Sequence, residues 1–178
     1  RCPLDFLELE LSTLEHMALK YSRSQNYASE NGHTVLCDVT IHPSKLVAPA
    51  EKIAPRPYPG INIDNLPYFV PIATQAKGRT LIHDWVYETR AIYYMEMQKL
   101  GAEMILADPH RVFIDGPTSL HAANIEAPPA LRPATLLLIG MLAAEGESML
   151  FNVYPINRGY ANLHERLKQL GASIEALE

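Results

Sequence analysis

One stretch of this sequence recurs at a fixed distance, and that recurrence constrains the fold more than any other feature. Residues 76–90 align with residues 144–158 without a gap, at a constant offset of 68 positions. Ala, Gly and Arg are identical at three corresponding positions, and each stretch is followed by Leu-Gly-Ala, at 100–102 and at 170–172. A gapless match of this kind indicates that the chain is built from copies of one supersecondary unit.

Each copy is predicted to contain a helix, a strand, a second helix and a further strand. For the first helix and the strand, the predicted ranges are Asn65–Ala76 and Thr80–Val86 in the second copy, and Arg132–Ala144 and Ser148–Tyr154 in the third. Gly78 and Gly146 follow the first helices and are expected to end them. The second helices are expected to begin at Arg90 and Arg158. A hairpin of residues 103–106 and 111–115 is expected to close the second copy.

An incomplete copy is predicted at the N-terminal end. It consists of a helical pattern at 4–20 and a strand at 34–39, and it lacks a first helix. Because the chain begins with Arg1 and not with Met, we expect it to be a piece of something longer. The predicted organisation is a single domain, 1–178, with approximate copies at 1–50 (partial), 51–117 and 118–178.

The composition is that of a soluble globular domain and excludes several classes of function. Hydrophobic residues make up 48% of the 178 positions, and the net charge of −5 predicts binding to neither nucleic acid nor an anionic membrane. The longest apolar stretch is too short for a membrane span, which needs about 20 residues. The two cysteines and seven histidines lack disulfide or metal-ligand spacing, so no metal and no cofactor is predicted. With no targeting pattern, the expected location is the cytoplasm.

The repeat brings charged residues to equivalent helix starts. At the 68-residue offset Asp64 corresponds to Arg132, while Arg90 and Arg158 begin the second helices. A helix N-terminus favours anions, so Asp64 is ordinary there as a cap, whereas arginines are disfavoured by the helix dipole. Guanidinium groups bind phosphate and carboxylate through two parallel hydrogen bonds. The three arginines therefore predict a shared anionic ligand, although surface or packing roles remain open for each.

Other segments allow two interpretations. Residues 43–71 contain seven of the 14 prolines, which fits either a linker or a rigid loop that leads into the helix after Asp64. We favour the rigid loop, because the apolar Ile61 and Ile63 run directly into that helix. Four aromatic residues are expected to be core residues and not a stacking platform: Trp85, Tyr87, Tyr93 and Tyr94. Cys37, in an apolar strand, is also expected to be buried.

Five motifs, in this order, resemble the UDP-N-acetylglucosamine 1-carboxyvinyltransferases, an enolpyruvyltransferase family. They are Tyr58-Pro-Gly-Ile-Asn-Ile-Asp64, Val86-Tyr-Glu-Thr-Arg90, Leu131-Arg132-Pro-Ala, Ala144-Glu-Gly-Glu and Asn157-Arg158-Gly-Tyr160. The resemblance is good over residues 50–178, loose before them, and corresponds to the C-terminal half of the family's chain. It implies an inside-out α/β domain of repeated β-α-β-α-β-β units, with helices central and sheets outside. It also implies a partner, the missing N-terminal domain, which supplies a lysine, an asparagine, further arginines and a loop with a reactive cysteine.

The resemblance implies a reaction and a set of site residues. Enzymes of this family add the 3′-hydroxyl of UDP-N-acetylglucosamine to C2 of phosphoenolpyruvate, and the tetrahedral intermediate then loses phosphate. Asp64 would be the base at that hydroxyl, and Val86 would contact the sugar nucleotide through its backbone. Arg158 would bind the phosphate of phosphoenolpyruvate, with Arg90 and Arg132 supporting carboxylate and phosphate charge. The catalytic residues implied are thus Asp64 and Arg158.

Two departures from the family pattern leave alternatives open. Ala130 stands where the family has an acid, and Pro155-Ile-Asn157 replaces a motif with His and Asp. These changes are compatible with a divergent subgroup, with an altered substrate or with a non-catalytic binding module derived from the fold. The sister enzymes that act on shikimate 3-phosphate share the fold and chemistry. The retained Asp64 and the three arginines favour an enzyme, and the Asn-Arg-Gly-Tyr stretch favours the UDP-N-acetylglucosamine family.

Overall fold

Helices and strands alternate along the chain as the sequence predicts. A computed structural model describes residues 1–177. The helices are α1 (Leu4–His16), α2 (Phe69–Ala73), α3 (Arg90–Tyr94), α4 (Leu131–Ala143), α5 (Tyr154–Gly159) and α6 (Leu163–Gln169), with 3₁₀ segments at Leu66–Tyr68 and Met95–Leu100. The strands are β1 (Cys2–Pro3), β2 (Lys20–Arg23), β3 (Tyr27–Ala28), β4 (Val35–Cys37), β5 (Val39–His42), β6 (Gly78–His83), β7 (Glu103–Asp108), β8 (Arg111–Gly116), β9 (Asn124–Glu126) and β10 (Met149–Phe151).

The second copy contains an antiparallel sheet with strand order β6-β8-β7. The predicted hairpin is confirmed as β7 and β8, which pair with Ile105 opposite Phe113. Burial alternates along these strands, since Met104 and Ile114 are buried while Ile105 is exposed. Because burial alternates from one residue to the next, one face of the sheet covers the core and the other is open to solvent.

Helix α4 lies at the centre of the molecule. Its apolar sequence leaves most of its length buried and packed against α2, α3, α5 and both 3₁₀ segments. A Cβ at Gly140 would lie 2.7 Å from the sulfur of Met97, so α4 approaches the Met95–Leu100 segment closely and a larger residue there would displace the Met97 side chain. With helices inside and the sheet on the outside, the predicted inside-out α/β class is confirmed.

The same parallel pairing recurs in the second and third copies. In each, the first strand runs beside the segment that precedes the first helix. The paired residues are Val47–Lys77 and Ile53–Ile82 in the second copy, and His121–Glu145 and Ile125–Leu150 in the third. Lys77 and Glu145, like Ile82 and Leu150, are 68 residues apart in the sequence. The offset found in the sequence is therefore also an offset between equivalent backbone contacts.

A common helix ending recurs in all three copies. Ala18, Gly101 and Gly171 each follow the last helical turn with a positive φ, of 63°, 93° and 96° respectively. After each of them an amide donates to a carbonyl five residues earlier, from Leu19 to Leu14, from Ala102 to Met97 and from Ala172 to Leu167. This is the left-handed ending that glycine accommodates most easily. It identifies α1 as the second helix of the first copy.

The first helix of the second copy is shorter than predicted. The expected helix Asn65–Ala76 is a 3₁₀ turn followed by α2, which ends at Ala73. Pro67 and Pro71 lack the amide hydrogens that a longer regular helix needs. The prediction that Gly78 and Gly146 end helices is wrong. Both glycines have positive φ and lie at or near the start of a strand. A Cβ at Gly78 would lie 3.3 Å from the Cβ of Ala48, and one at Gly146 would lie 3.1 Å from the Cβ of Ala122.

The proline-rich segment is an ordered loop that packs against β6, as the sequence interpretation favoured. Ile53 is buried beside Ile82, and the Trp85 indole donates to the Pro55 carbonyl oxygen at 2.9 Å. The loop therefore leads into the helix after Asp64 from a fixed direction. Within residues 1–177, no helix combines the length and the apolar character that crossing a membrane requires.

Candidate active site

Two residues at equivalent positions of the second and third copies form an ion pair. Arg132 Nη2 donates to Asp64 Oδ2 at 2.8 Å, and both side chains are partly exposed. Arg132 is the second residue of α4, and Asp64 lies just before the 3₁₀ segment, so the starts of the two first helices meet here. The Nε of Arg132 is buried and has no hydrogen-bond partner within the described residues. The guanidinium thus orients the carboxylate with one edge and leaves a donor unused.

The carboxylate of Asp64 is held on a well-defined turn. The Asn62 side-chain oxygen accepts the Asp64 amide at 2.8 Å, and the Asn62 carbonyl accepts the amides of Asn65 and Leu66. The Asn65 side chain in turn donates to Glu10 of α1 at 2.8 Å. These hydrogen bonds connect the first copy to the turn that carries Asp64. Neither Asn65 nor Glu10 was identified in the sequence, because their contact joins residues 55 positions apart.

Arg90 is the first residue of α3, as predicted, but its guanidinium is buried. Its Nε donates to Asp84 Oδ2 at 2.5 Å, and its Nη2 donates to the Ile63 carbonyl at 2.9 Å. The guanidinium also lies over the Tyr87 ring, 4.4 Å from its centre. Arg90 therefore fixes the backbone immediately before Asp64. This geometry favours a positioning role over the direct ligand contact expected from the sequence.

A buried carboxylate and a tyrosine complete the surroundings of Arg90. Asp84 is fully buried, and the Tyr94 hydroxyl donates to the same Oδ2 atom at 2.5 Å. Burial, followed by the charge of Asp84, raises the pKa of Tyr94 far above its ordinary value. Tyr94 therefore remains a neutral donor at every physiological pH. Sequence reasoning predicted Tyr94 as a core residue, which is confirmed, but gave no signal for Asp84.

A pair of tyrosine hydroxyls joins the second copy to the third beside this ion pair. The Tyr68 and Tyr160 oxygens are 2.5 Å apart, and both side chains are partly buried. Burial and the hydrogen bond to Tyr160 raise the pKa of Tyr68 well above its ordinary value, and Arg132 and Asp64 are close enough to contribute smaller opposing effects. Tyr68 was not singled out in the sequence, whereas Tyr160 lies within the Asn-Arg-Gly-Tyr motif.

Arg158 does not begin a helix, and that prediction is wrong. It lies in the last turn of α5, which starts four residues earlier at Tyr154 with Pro155 in its first turn. Proline at this position is typical of a helix start and was the available signal. The side chain is exposed, and its guanidinium carbon is 6.0 Å from the centre of the Tyr154 ring. Unlike Arg90 and Arg132, Arg158 presents its guanidinium on the surface.

Val86 lines a cavity of about 400 Å³ between α1 and the proline-rich loop. The lining is mostly apolar, with charged groups at its edge, and includes Phe6, Arg56, Ile63, Trp85 and Val86. Trp85 is 49% exposed and Tyr87 is 47% exposed, so the prediction that these two are core residues is wrong. Ile63, which also lines the cavity, is one residue from Asp64.

The described residues contain no group of three or more histidine, cysteine, aspartate or glutamate side chains placed to hold a metal ion. The side chains gathered at this site are a carboxylate, guanidinium groups and hydroxyls. Such a set can accept a proton from a hydroxyl and neutralise the charge of a phosphate or carboxylate.

Several curated proteins are similar in sequence to this chain. The UDP-N-acetylglucosamine 1-carboxyvinyltransferase of Treponema denticola is 41% identical over 127 residues, which are 71% of this chain and 30% of the relative. The protein of the same name from Campylobacter lari is 33% identical over 168 residues, 94% of this chain and 37% of the relative. The chain thus spans roughly a third of the length of these relatives. No family model matches it.

Solved structures are similar in fold. The enolpyruvyl transferase NikO from Streptomyces tendae superposes with a TM-score of 0.74 and 28% identity, covering 95% of this chain and 36% of NikO. EPSP synthase from Acinetobacter baumannii superposes with a TM-score of 0.71 over 94% of this chain and 39% of the synthase. Its identity of 15% supports the fold alone.

Proposed function

Because this chain belongs to the enolpyruvyltransferase family, we propose that it forms one wall of a UDP-N-acetylglucosamine 1-carboxyvinyltransferase active site. The reaction transfers the enolpyruvyl group of phosphoenolpyruvate to the 3′-hydroxyl of UDP-N-acetylglucosamine and releases phosphate. It would be the first committed step of peptidoglycan precursor synthesis, carried out in the cytoplasm. The other wall would come from an N-terminal domain, as in the resemblance described above.

The observation that carries this proposal is the ion pair between Asp64 and Arg132. A partly exposed carboxylate, oriented on one side by a guanidinium, has a second oxygen available to a substrate hydroxyl. In the proposed reaction Asp64 takes the proton of the 3′-hydroxyl as the hydroxyl oxygen bonds to C2 of phosphoenolpyruvate, while C3 takes up a proton from a general acid and becomes a methyl group. The resulting tetrahedral intermediate then loses phosphate, and a proton leaves the neighbouring methyl carbon to form the double bond.

The three arginines would have different roles, according to how exposed each guanidinium is. The exposed Arg158 is suited to binding the phosphate of phosphoenolpyruvate, since its guanidinium can offer two parallel donors. Arg132, whose side chain is partly exposed, can add positive charge for a carboxylate or phosphate near Asp64. Arg90 acts through the Ile63 carbonyl and keeps Asp64 in place.

The cavity beside Val86 supports a site for the sugar nucleotide next to the base. It is continuous with the loop that carries Asp64 and is about 400 Å³ in volume. Trp85 offers an exposed aromatic surface, and Arg56 offers a positive charge for a diphosphate. Val86, between them, would contribute its backbone to the same ligand.

The choice of acceptor rests on the names of the sequence relatives. Fold similarity does not separate the two acceptors, because EPSP synthase superposes almost as well as NikO. Sequence identity of 33–41% to proteins named UDP-N-acetylglucosamine 1-carboxyvinyltransferase supports the sugar nucleotide over shikimate 3-phosphate.

Saturation-transfer NMR on the 178-residue chain tests the acceptor directly. We expect transfer to UDP-N-acetylglucosamine at millimolar concentration and none to shikimate 3-phosphate. Asp64→Asn should weaken the signal of the sugar protons. Asp115→Asn is the matched control, because Asp115 also pairs with an arginine at 2.8 Å but lies on the outer sheet. Transfer to shikimate 3-phosphate alone would assign the sister reaction, and transfer to neither acceptor would contradict the proposal that this chain binds the acceptor.

Turnover is tested separately by phosphate release. The 178-residue chain, given UDP-N-acetylglucosamine and phosphoenolpyruvate, is expected to release no phosphate at an ordinary enzyme rate, because it supplies one wall of the cleft. Release at such a rate would refute the proposal that a second domain is needed.

A further inference from the structure

The two cysteines of the chain lie opposite each other on neighbouring strands. Strands β1 and β4 are antiparallel, and Cys2 is the register partner of Cys37. Both are free thiols in the structure, with Cys37 buried and Cys2 partly exposed. Sequence spacing gave no hint of this, since 34 residues separate the two positions.

This register places the two thiols within the range that a disulfide requires. Directly opposed residues of an antiparallel pair have Cα atoms about 4.5 or 5.5 Å apart, according to whether the pair exchanges hydrogen bonds. Disulfides span Cα separations of about 4.4–6.8 Å. Opposed side chains also leave the sheet on the same face, so neither strand has to move far for the sulfur atoms to bond.

We propose that Cys2 and Cys37 form a thiol–disulfide site, with Cys2 as the attacking thiol and Cys37 as the resolving thiol. The assignment of roles follows from burial, since an oxidant in solution reaches the partly exposed Cys2 but not the fully buried Cys37. The oxidant is a small disulfide of the glutathione class. The proposal does not depend on the carboxyvinyl transfer proposed above.

The reaction is two successive thiol–disulfide exchanges. The Cys2 thiolate attacks one sulfur of oxidised glutathione, forms a mixed disulfide and releases one glutathione thiolate. The Cys37 thiolate then attacks the sulfur of Cys2, forms the Cys2–Cys37 bond and releases the second glutathione. The two cysteine thiols are oxidised, one glutathione disulfide is reduced to two thiols, and the protons of the cysteines end on the released glutathione.

The bond would fix the start of α1, which follows β1 without a break and contacts β4. Helix α1 supplies Phe6 to the wall of the cavity beside Val86, and Glu10 to the hydrogen bond with Asn65. Oxidation therefore ties one wall of this cavity to the small β1-β4-β3 sheet. The expected consequence is slower amide hydrogen exchange in α1, with exchange in α4 unchanged.

The test is mass spectrometry of the folded 178-residue chain after incubation with oxidised glutathione. We expect the wild-type chain to lose two hydrogens, to retain no glutathione and to yield a peptide in which Cys2 is linked to Cys37. In Cys37→Ser the exchange should stop at the mixed disulfide, leaving one glutathione on Cys2. In Cys2→Ser the buried Cys37 should stay free, and circular dichroism checks that both variants are folded.

Three results would overturn the proposal. One is a wild-type chain that keeps glutathione on Cys2 as stably as Cys37→Ser does. Another is a wild-type chain whose two thiols both remain open to alkylation after incubation. The third is a disulfide between two chains, which non-reducing electrophoresis would reveal as a dimer. If Cys37→Ser does not fold, the linked peptide from the wild type still decides the question.

Discussion

Replacing Arg90 by methionine tests the idea that this buried arginine holds Asp64 in place. Methionine keeps much of the length of the arginine stem but removes every donor. The substitution leaves Asp84, whose side chain is 0% exposed, with the Tyr94 hydroxyl as its remaining partner in the described contacts. It also frees the Ile63 carbonyl, and with it the turn that carries Asp64.

The expected cost follows from the burial of the pair. Removing one partner of a buried ion pair costs about 3–5 kcal/mol, because the remaining charge is left in a site of low polarity. Domains are typically stable by about 5–15 kcal/mol, so Arg90→Met should lower the denaturation midpoint strongly. Adding Asp84→Asn removes the unpaired charge, and the double variant should therefore be more stable than Arg90→Met alone.

Urea unfolding measures these differences in two ways. Circular dichroism follows the whole domain, and the fluorescence of Trp85, the single tryptophan, follows the loop that it anchors. Arg79→Met is the matched control, because Arg79 forms a similar ion pair with Asp115 but is 57% exposed, and its loss should cost less than about 1 kcal/mol. Equal destabilisation by Arg90→Met and Arg79→Met would show that burial does not raise the cost of losing the Arg90 ion pair, and it would refute this reasoning.

Three further predictions concern the base, a helix ending and the alkaline stability. With the proposed N-terminal domain present, Asp64→Asn should reduce phosphate release by about 10²–10⁴-fold and the stability by less than about 1 kcal/mol, since its ion pair is partly exposed; unchanged turnover would exclude Asp64 as the base. Ala18→Gly should stabilise the domain by about 0.5–1 kcal/mol in thermal melts because φ is 63°. Gly101→Ala should destabilise the domain. If both substitutions changed the stability in the same direction, the idea that Ala18 and Gly101 share one type of helix ending would be contradicted. The pKa of Tyr68 is raised in the folded state, so above pH 10 the folded state keeps a proton that the unfolded state loses. The free energy of unfolding should therefore fall as the pH rises above 10. For this group the fall is at most about 1.4 kcal/mol per pH unit. Melts at pH 9 and 11 should show a shallower fall for Tyr68→Phe than for the control Tyr58→Phe, whose hydroxyl is on the surface.

The sequence predicted those features that depend on local pattern and on the repeat. Helix α4 and the β7–β8 hairpin follow from periodicity, and the 68-residue offset brought Asp64 and Arg132 to equivalent positions that do meet in the structure. The first copy was harder to align, because Ala18 stands where the other copies have glycine. Its identity as an equivalent helix ending emerges from backbone geometry and hydrogen bonds.

The environment of each arginine could not be predicted from the chain. The burial of Arg90 depends on Asp84, which lies six residues earlier, just after β6, and meets it across the loop that joins β6 to α3. The exposure of Arg158 depends on where α5 begins, four residues before the position expected from the repeat. Arg90 and Arg158 occupy equivalent sequence positions, yet the guanidinium of Arg90 is buried in an ion pair and that of Arg158 is on the surface.

The contact between Asp64 and Arg132 has a consequence for symmetry. The two residues occupy the same position in two copies of one unit, so copies with identical sequences would bring like charges together there. Two aspartates or two arginines at that distance would repel each other, and the ends of the two helices would separate. The candidate site could therefore arise only after the copies had diverged, because its ion pair requires unlike residues at equivalent positions.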